Sequence, residues 1–253
     1  TTGEAIPEVE PEVPEDEEET TDPVSATETG LCGGMDDFKR ALGFAEGGGN
    51  CCIVGGGGGN YVGKYQFNQA TLGDESRVPS SCYSGCRQLK NECFRCNGPA
   101  QEQAFSCYFE QNKKIIDGDI KKESGGRYNS LDEYLADPDN PYLTNEGGKR
   151  CLKQKSEYYY AGCKGRLASG AASKKAGPSC MEVTKSGVYG AGHLIGPYLI
   201  GDMLVEGQNA YDGFCTSAFH YGEKFKGIDI DNTAADGSGE ACPAPVDIPN
   251  EPL

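Results

Sequence analysis

Met35-Asp36-Asp37-Phe38-Lys39-Arg40-Ala41-Leu42-Gly43-Phe44-Ala45-Glu46 is the stretch from which the rest of the chain is best read. Met35, Phe38, Leu42 and Ala45 recur at helical spacing, and Asp36 and Asp37 stand where the positive end of a helix favours negative charge, so the segment predicts an apolar-faced helix. Gly47, Gly48 and Gly49 end it, because glycine weakens a helix interior and takes a left-handed turn without steric cost. Beyond Cys51 and Cys52 come the consecutive glycines Gly55 to Gly59, which predict a loop or a short irregular hairpin.

Outward from this helix, a second is expected over Tyr65 to Leu72. A third is expected over Pro99 to Ile116, where Ala104, Phe105, Tyr108, Phe109, Asn112 and Ile116 share one face and Pro99 suits the first turn. Residues 118 to 150 are polar and rich in Gly, Asp, Pro and Asn, which predicts a surface insertion carrying a short helix near Leu131 to Leu135. Cys151 to Leu167 reads as a helix with an exposed run at Tyr158, Tyr159 and Tyr160, and Gly187 to Glu206 as a helical hairpin broken at Gly196-Pro197. The expected fold is mainly α: a helical domain over residues 31–230 with a Gly-rich loop or short hairpin, braced by disulfides.

Composition bounds this reading. Residues 1–30 hold eleven acids, no Lys or Arg, and repeated Pro and Thr. Such a segment buries too little apolar surface to fold and is expected to be an extended tail. Setting those eleven charges aside from the total of −16 leaves −5 for the remainder, which is only mildly acidic. Residues 231–253 are again polar and Pro-rich. Neither tail nor domain has the basic stripe that displaces counterions from nucleic acid, which argues against a DNA or RNA partner. No stretch approaches the roughly 18 to 20 apolar residues of a membrane span.

The thirteen cysteines point to an oxidising, extracellular setting in which crosslinks support a small Gly-rich core. Cys82, Cys86, Cys93 and Cys96 could be read as a four-thiolate zinc site, but the abundance of other cysteines favours disulfides, so no metal and no cofactor is expected. Cys51 and Cys52 are expected to bond to two different partners, since neighbours joined to each other form a strained ring. An odd cysteine leaves one thiol for a free state, self-association or an intermolecular bond.

Chemistry enters at Glu46. A carboxyl at the end of an apolar-faced helix can be half-buried at a cleft, and burial favours the protonated form that a general acid needs. Glycosidic cleavage requires such a proton on a poor leaving oxygen. Glu46-Gly47-Gly48-Gly49-Asn50 is followed by Gly63-Lys64-Tyr65-Gln66-Phe67, then Ala191-Gly192-His193-Leu194-Ile195-Gly196, then Asp212-Gly213-Phe214-Cys215-Thr216-Ser217 with Tyr221 and Phe225-Lys226-Gly227. In this order the segments resemble the lysozyme-like superfamily, of the lytic-transglycosylase and goose-type lysozyme kind and most of all the lysozyme-like domains of phage tail and bacterial secreted proteins. The resemblance implies a lysozyme-like helical domain with Glu46 as the catalytic acid, Gly63, Tyr65 and Gln66 lining a sugar-binding cleft, and His193 close by.

The chain departs from that pattern at Gly47, where the family has Ser, and in a longer, cysteine-bearing loop before Tyr65. Asp74 is a weak candidate for a second carboxylate. Glu123-Ser124-Gly125-Gly126-Arg127-Tyr128 looks superficially like the catalytic motif, but it lacks a following Gly-x-Tyr-Gln element and is read as a decoy without an apolar helix ahead of it. Two functions compete. One is a secreted enzyme cleaving peptidoglycan or a related chitin-like polysaccharide. The other is a catalytically inactive lysozyme-like domain that serves as a glycan-binding or structural component of an extracellular matrix or filament.

Overall fold

The computed structural model describes residues 34–56 and 59–231. The acidic segment, nearly all of the Pro-rich C-terminal segment, Gly57, Gly58, Cys32 and Cys242 lie outside the described residues. The first helix runs as expected, α1 at Met35–Gly47. Gly55, the first of the glycine run, belongs to a small antiparallel sheet: β1 (Val54–Gly55), β2 (Tyr61–Val62) and β3 (Phe67–Asn68), with Val54 opposite Val62 and Val62 opposite Phe67. The helix expected from Tyr65 begins only at α2 (Gln69–Gly73), because Asn68 caps it by accepting from the Thr71 amide.

α3 (Gly98–Glu123) is longer than the sequence pattern indicates and carries the chain well into the expected insertion. That insertion is not purely a surface feature. After α4 (Leu131–Ala136), capped by Ser130, the rings of Tyr128 and Tyr134 and the side chain of Leu131 are buried in the main core.

The expectation of a mainly α domain is corrected here: the chain is mixed α/β, with eight α-helices and three small sheets among the described residues. The error lies in Cys151 to Leu167. In place of one helix the chain forms β5 (Lys149–Lys153), β6 (Ser156–Tyr159) and α5 (Ala161–Ala168). β5 lies between β4 (Thr144–Glu146) and β7 (Cys180–Glu182), and β6 runs parallel to β8 (Gln208–Tyr211). Tyrosine-rich segments suit pleated, half-buried surfaces, and pairing with distant strands overrides a weak local helical pattern. The Cys151–Cys180 bridge joins β5 to β7 across that pairing.

The expected helical hairpin is present as α6 (Lys185–Ile195), a 3₁₀ turn at Pro197–Leu199 and α7 (Ile200–Glu206), with Gly196 at φ 86° between them. α8 (Ala218–Phe225) closes the described chain and packs on α6. Phe38 of α1 meets Phe109 of α3 and Phe225 of α8, each at a ring separation of 5.7 Å, which ties α1, α3 and α8 into one core.

Among the described residues five disulfides brace the structure: Cys52–Cys96, Cys82–Cys107, Cys86–Cys93, Cys151–Cys180 and Cys163–Cys215. All four cysteines of the zinc-like spacing are therefore disulfide-bonded. Cys52 is bridged, whereas Cys51 is a free thiol, which corrects the expectation that both are bonded.

Candidate functional site

Glu46 stands in the last turn of α1. Gly48 and Gly49 follow in left-handed conformations and return their amides to the Phe44 and Gly43 carbonyls, both at 3.0 Å. This closes the helix within one residue of the glutamate. A Cβ at Gly47 would lie 2.8 Å from the Lys64 carbonyl oxygen and 2.9 Å from that of Gly63. Glycine at position 47 thus lets the end of α1 pack directly on the backbone of Gly63-Lys64, and the first two matched segments become one surface.

The third and fourth segments deliver the partners of the carboxyl. α8, capped by Ser217, directs the Tyr221 hydroxyl to donate to Glu46 Oε1. The ring of His193, in the last turn of α6, holds Nε2 at 3.9 Å from the same oxygen, beyond hydrogen-bond length. The side chains of Glu46 and His193 are only 18% and 12% exposed. No Lys or Arg forms a salt bridge with Glu46 among the described residues.

Burial is the first cause of the shifts in the groups around Glu46. Burial first, then the Glu46 charge and hydrogen bond, push the Tyr221 hydroxyl well above its ordinary range, so it stays a proton donor. Burial also raises the Asp212 carboxyl; the Thr216 and Phe214 amides oppose that rise, and the Glu46 charge adds to it. Asp212 Oδ1 accepts from Phe214 N at 2.9 Å and Thr216 N at 2.8 Å, which folds the 212–216 loop around the carboxylate. His193 is lowered by burial, against the charge of Glu46 and a backbone hydrogen bond with Tyr65.

Gly63, Tyr65 and Gln66 serve the site in a way that their residue types alone do not specify. Gly63, at φ 85°, donates its amide to Ile53 O at 2.9 Å, and a Cβ there would overlap the Gln101 amide. Gln101 in turn accepts from Lys64 N at 2.8 Å and donates to Cys51 O and Phe94 O, locking the loop to α3. Tyr65 is fully buried, its ring stacked on Phe105 at 4.0 Å and its hydroxyl donating to the Glu102 carboxylate at 2.8 Å. Gln66, at φ 47°, donates its side-chain amide back to Gly63 O at 2.8 Å. The structure brings Glu46 and His193 together, with the Tyr65 backbone against the imidazole, while the Tyr65 ring is core and the Gln66 side chain supports its own turn.

Asp74 is exposed and accepts from the amide and hydroxyl of Ser76 at 2.8 and 2.7 Å, so it plays a local turn role. Glu123 closes α3, so a long helix does stand ahead of the decoy motif, contrary to the sequence reading; its carboxylate pairs with Lys122. Behind His193 lies a small enclosed cavity lined by Phe38, Tyr108, Asn112 and Tyr189 among others, into which Asn112 Oδ1 and His193 Nδ1 come without a hydrogen-bond partner.

Sequence reasoning assigned no role to Tyr221 or Asp212. The signal was present, since both stand in the fourth matched segment, but a tyrosine in an apolar helix reads equally well as core. Neither family models, nor curated proteins, nor solved structures gave a match to this chain.

Proposed function

We propose that this chain is an extracellular glycoside-cleaving protein that acts on peptidoglycan or a chitin-like amino-sugar polymer with Glu46 as general acid. The observation that supports it is a largely buried carboxyl that forms no Lys or Arg salt bridge among the described residues, held on one oxygen by Tyr221 and faced by a neutral-favouring histidine, with the Lys224 amine over the Tyr221 ring as the nearby cation. Proteins rarely keep a carboxyl out of water without a salt bridge unless it has a use, because desolvation costs more than one hydroxyl returns. In this reading Tyr221 fixes Oε1 and leaves Oε2 to protonate the glycosidic oxygen, after which the carboxylate accepts a proton from water. The ordered resemblance of four segments to the lysozyme-like superfamily supports the same residue. Five disulfides, together with the lack of any helix long and apolar enough to cross a membrane among the described residues, are consistent with the extracellular setting.

The test is turnover of purified cell-wall glycan and of chitin oligomers by the wild type and by Glu46→Gln. The amide keeps the shape and can still accept from Tyr221, yet it delivers no proton, so the expected loss is about 10²- to 10⁴-fold with the fold retained. Glycan binding without turnover in either form would replace this reading with a noncatalytic glycan-binding role.

A further inference from the structure

The large apolar side chains that stand exposed among the described residues fall into two groups, both attached to elements of the Glu46 site. Phe44, Ile53 and Val54 belong to α1 and the segment that leads into the β1–β3 sheet. Tyr158, Tyr160 and Tyr198, exposed by 40%, 38% and 54%, gather at the end of α6 that carries His193. The second group is held in place from several directions. The Tyr160 hydroxyl donates to Ile195 O at 2.6 Å, and the Tyr158 and Tyr160 rings meet edge to face at 5.6 Å. Tyr198 stands in the 3₁₀ turn just after Gly196, and the Arg77 guanidinium lies 4.8 Å over its ring.

The group lies beside the site. The Tyr160 amide donates to the carbonyl of Tyr211, the residue before Asp212. The charge of Arg77 acts on the hydroxyls of both Tyr160 and Tyr108, and the charge of Glu46 also acts on Tyr108, whose ring packs on His193 at 5.8 Å. Tyr108 thus feels the charges of both Arg77 and Glu46. Among the described residues Arg77 forms no salt bridge; its charge acts on nearby Asp74, but that carboxylate accepts from the amide and hydroxyl of Ser76 and leaves the guanidinium N–H groups open.

We propose that Arg77, Tyr158, Tyr160 and Tyr198 form a sugar-binding ledge beside Glu46 that selects carboxylate-bearing amino-sugar chains over neutral ones. A pyranose ring has an apolar C–H face and a hydroxylated rim, which match the ring and hydroxyl of an exposed tyrosine. A guanidinium pinned over an aromatic ring keeps its outer N–H fork for a carboxylate, the partner whose geometry it fits. Clustered exposed aromatics are otherwise a solubility cost. That the occupant is a glycan rests on the function proposed above.

The test measures binding rather than cleavage, in the full chain carrying Glu46→Gln. The probes are a neutral β-1,4 N-acetylglucosamine oligomer and a cell-wall glycan strand of equal length in which alternate sugars carry a carboxylate. The parent is expected to bind the carboxylated strand more tightly, with the advantage fading as salt rises. Tyr198→Ala is expected to weaken both probes about tenfold. Arg77→Gln is expected to weaken the carboxylated strand alone. Equal affinity of the parent for the two probes, or unchanged binding in both variants at an unchanged melting temperature, overturns the ledge. Tyr198 is more than half exposed, so folding should survive its loss; if it does not, Arg77→Gln carries the test. Absence of turnover in the wild type would remove the catalytic reading and leave this comparison standing.

Discussion

Two helices of this molecule end alike, α1 at Glu46-Gly47-Gly48-Gly49 and α3 at Glu123-Ser124-Gly125-Gly126. In both, paired glycines turn left-handed, at φ 58° and 74° after Glu46 and at 63° and 83° after Glu123. The two carboxylates are also equally shielded, with side-chain exposures of 18% and 19%. Partners separate them. Glu123 pairs with Lys122 and stands near Asp119 and Asp202, whose carboxyls its charge helps to raise. Glu46 has a hydroxyl and an imidazole as its nearest partners, and the charge of Lys224 acts on it without a salt bridge. The residue that follows each glutamate differs in the same sense: a Cβ at Gly47 would strike two carbonyls of the Gly63-Lys64 turn, whereas position 124 carries the Cβ of a serine. A helix-end Glu-x-Gly-Gly sequence therefore specifies a terminus, and only what packs against that terminus makes it a site.

The largest expected effect comes from removing what holds the Glu46 side together. Cys163–Cys215 ties α5 to the 212–216 loop across a separation of 52 residues. Replacing both cysteines by Ala is expected to cost about 4 kcal/mol by loop-closure entropy, read as a lower denaturant midpoint. The bridged loop leads directly into α8 and neither cysteine belongs to α3, so amide exchange at the end of α3 should change less than at α8. Equal loosening of both ends would break the comparison.

Tyr221→Phe comes next. It leaves a buried carboxylate without its donor, and the expected loss is about 1–3 kcal/mol in thermal unfolding. Lys122→Gln, which removes the partner of Glu123, should leave thermal unfolding nearly unchanged because Lys122 is exposed and solvent screens the pair. A Tyr221→Phe protein as stable as the wild type would mean that Tyr221 and Glu46 do not hold each other.

What the sequence disclosed follows the same division between local and distant causes. α1, its glycine stop and the break at Gly196-Pro197 were legible because helical period, N-terminal acids and glycine act within a few residues. β5 and β6 were not, since Leu152 and Tyr159 are fixed by pairing with Met181 and Tyr211, which are far away in sequence. The site was legible in part for the same reason. Glu46 and His193 were singled out and do meet, but Tyr65, assigned to a cleft, is buried on Phe105, and the carboxylate that accepts its hydroxyl, Glu102, belongs to another helix. Tyr221 carries no mark in its own helix that separates it from a core tyrosine.

The smallest expected effect is the sharpest. Burial lowers the His193 pKa below the ordinary histidine value of about 6.5, while the Glu46 charge and the Tyr65 backbone hold it up. As pH falls through that value the unfolded chain binds its proton first. The contribution of His193 to stability is therefore complete above the ordinary value and is lost as pH falls toward the folded one. Glu46→Gln removes the charge that opposes burial, so the His193 ring, followed by NMR, should titrate at a lower pH than in the wild type. Glu123→Gln should leave it in place. His220, lowered by burial and by the charges of Lys224 and Lys175, serves as the internal reference. A His193 titration that stays fixed in Glu46→Gln would mean that the two groups do not share one electrostatic site. The difference between the two helix ends would then reduce to packing alone.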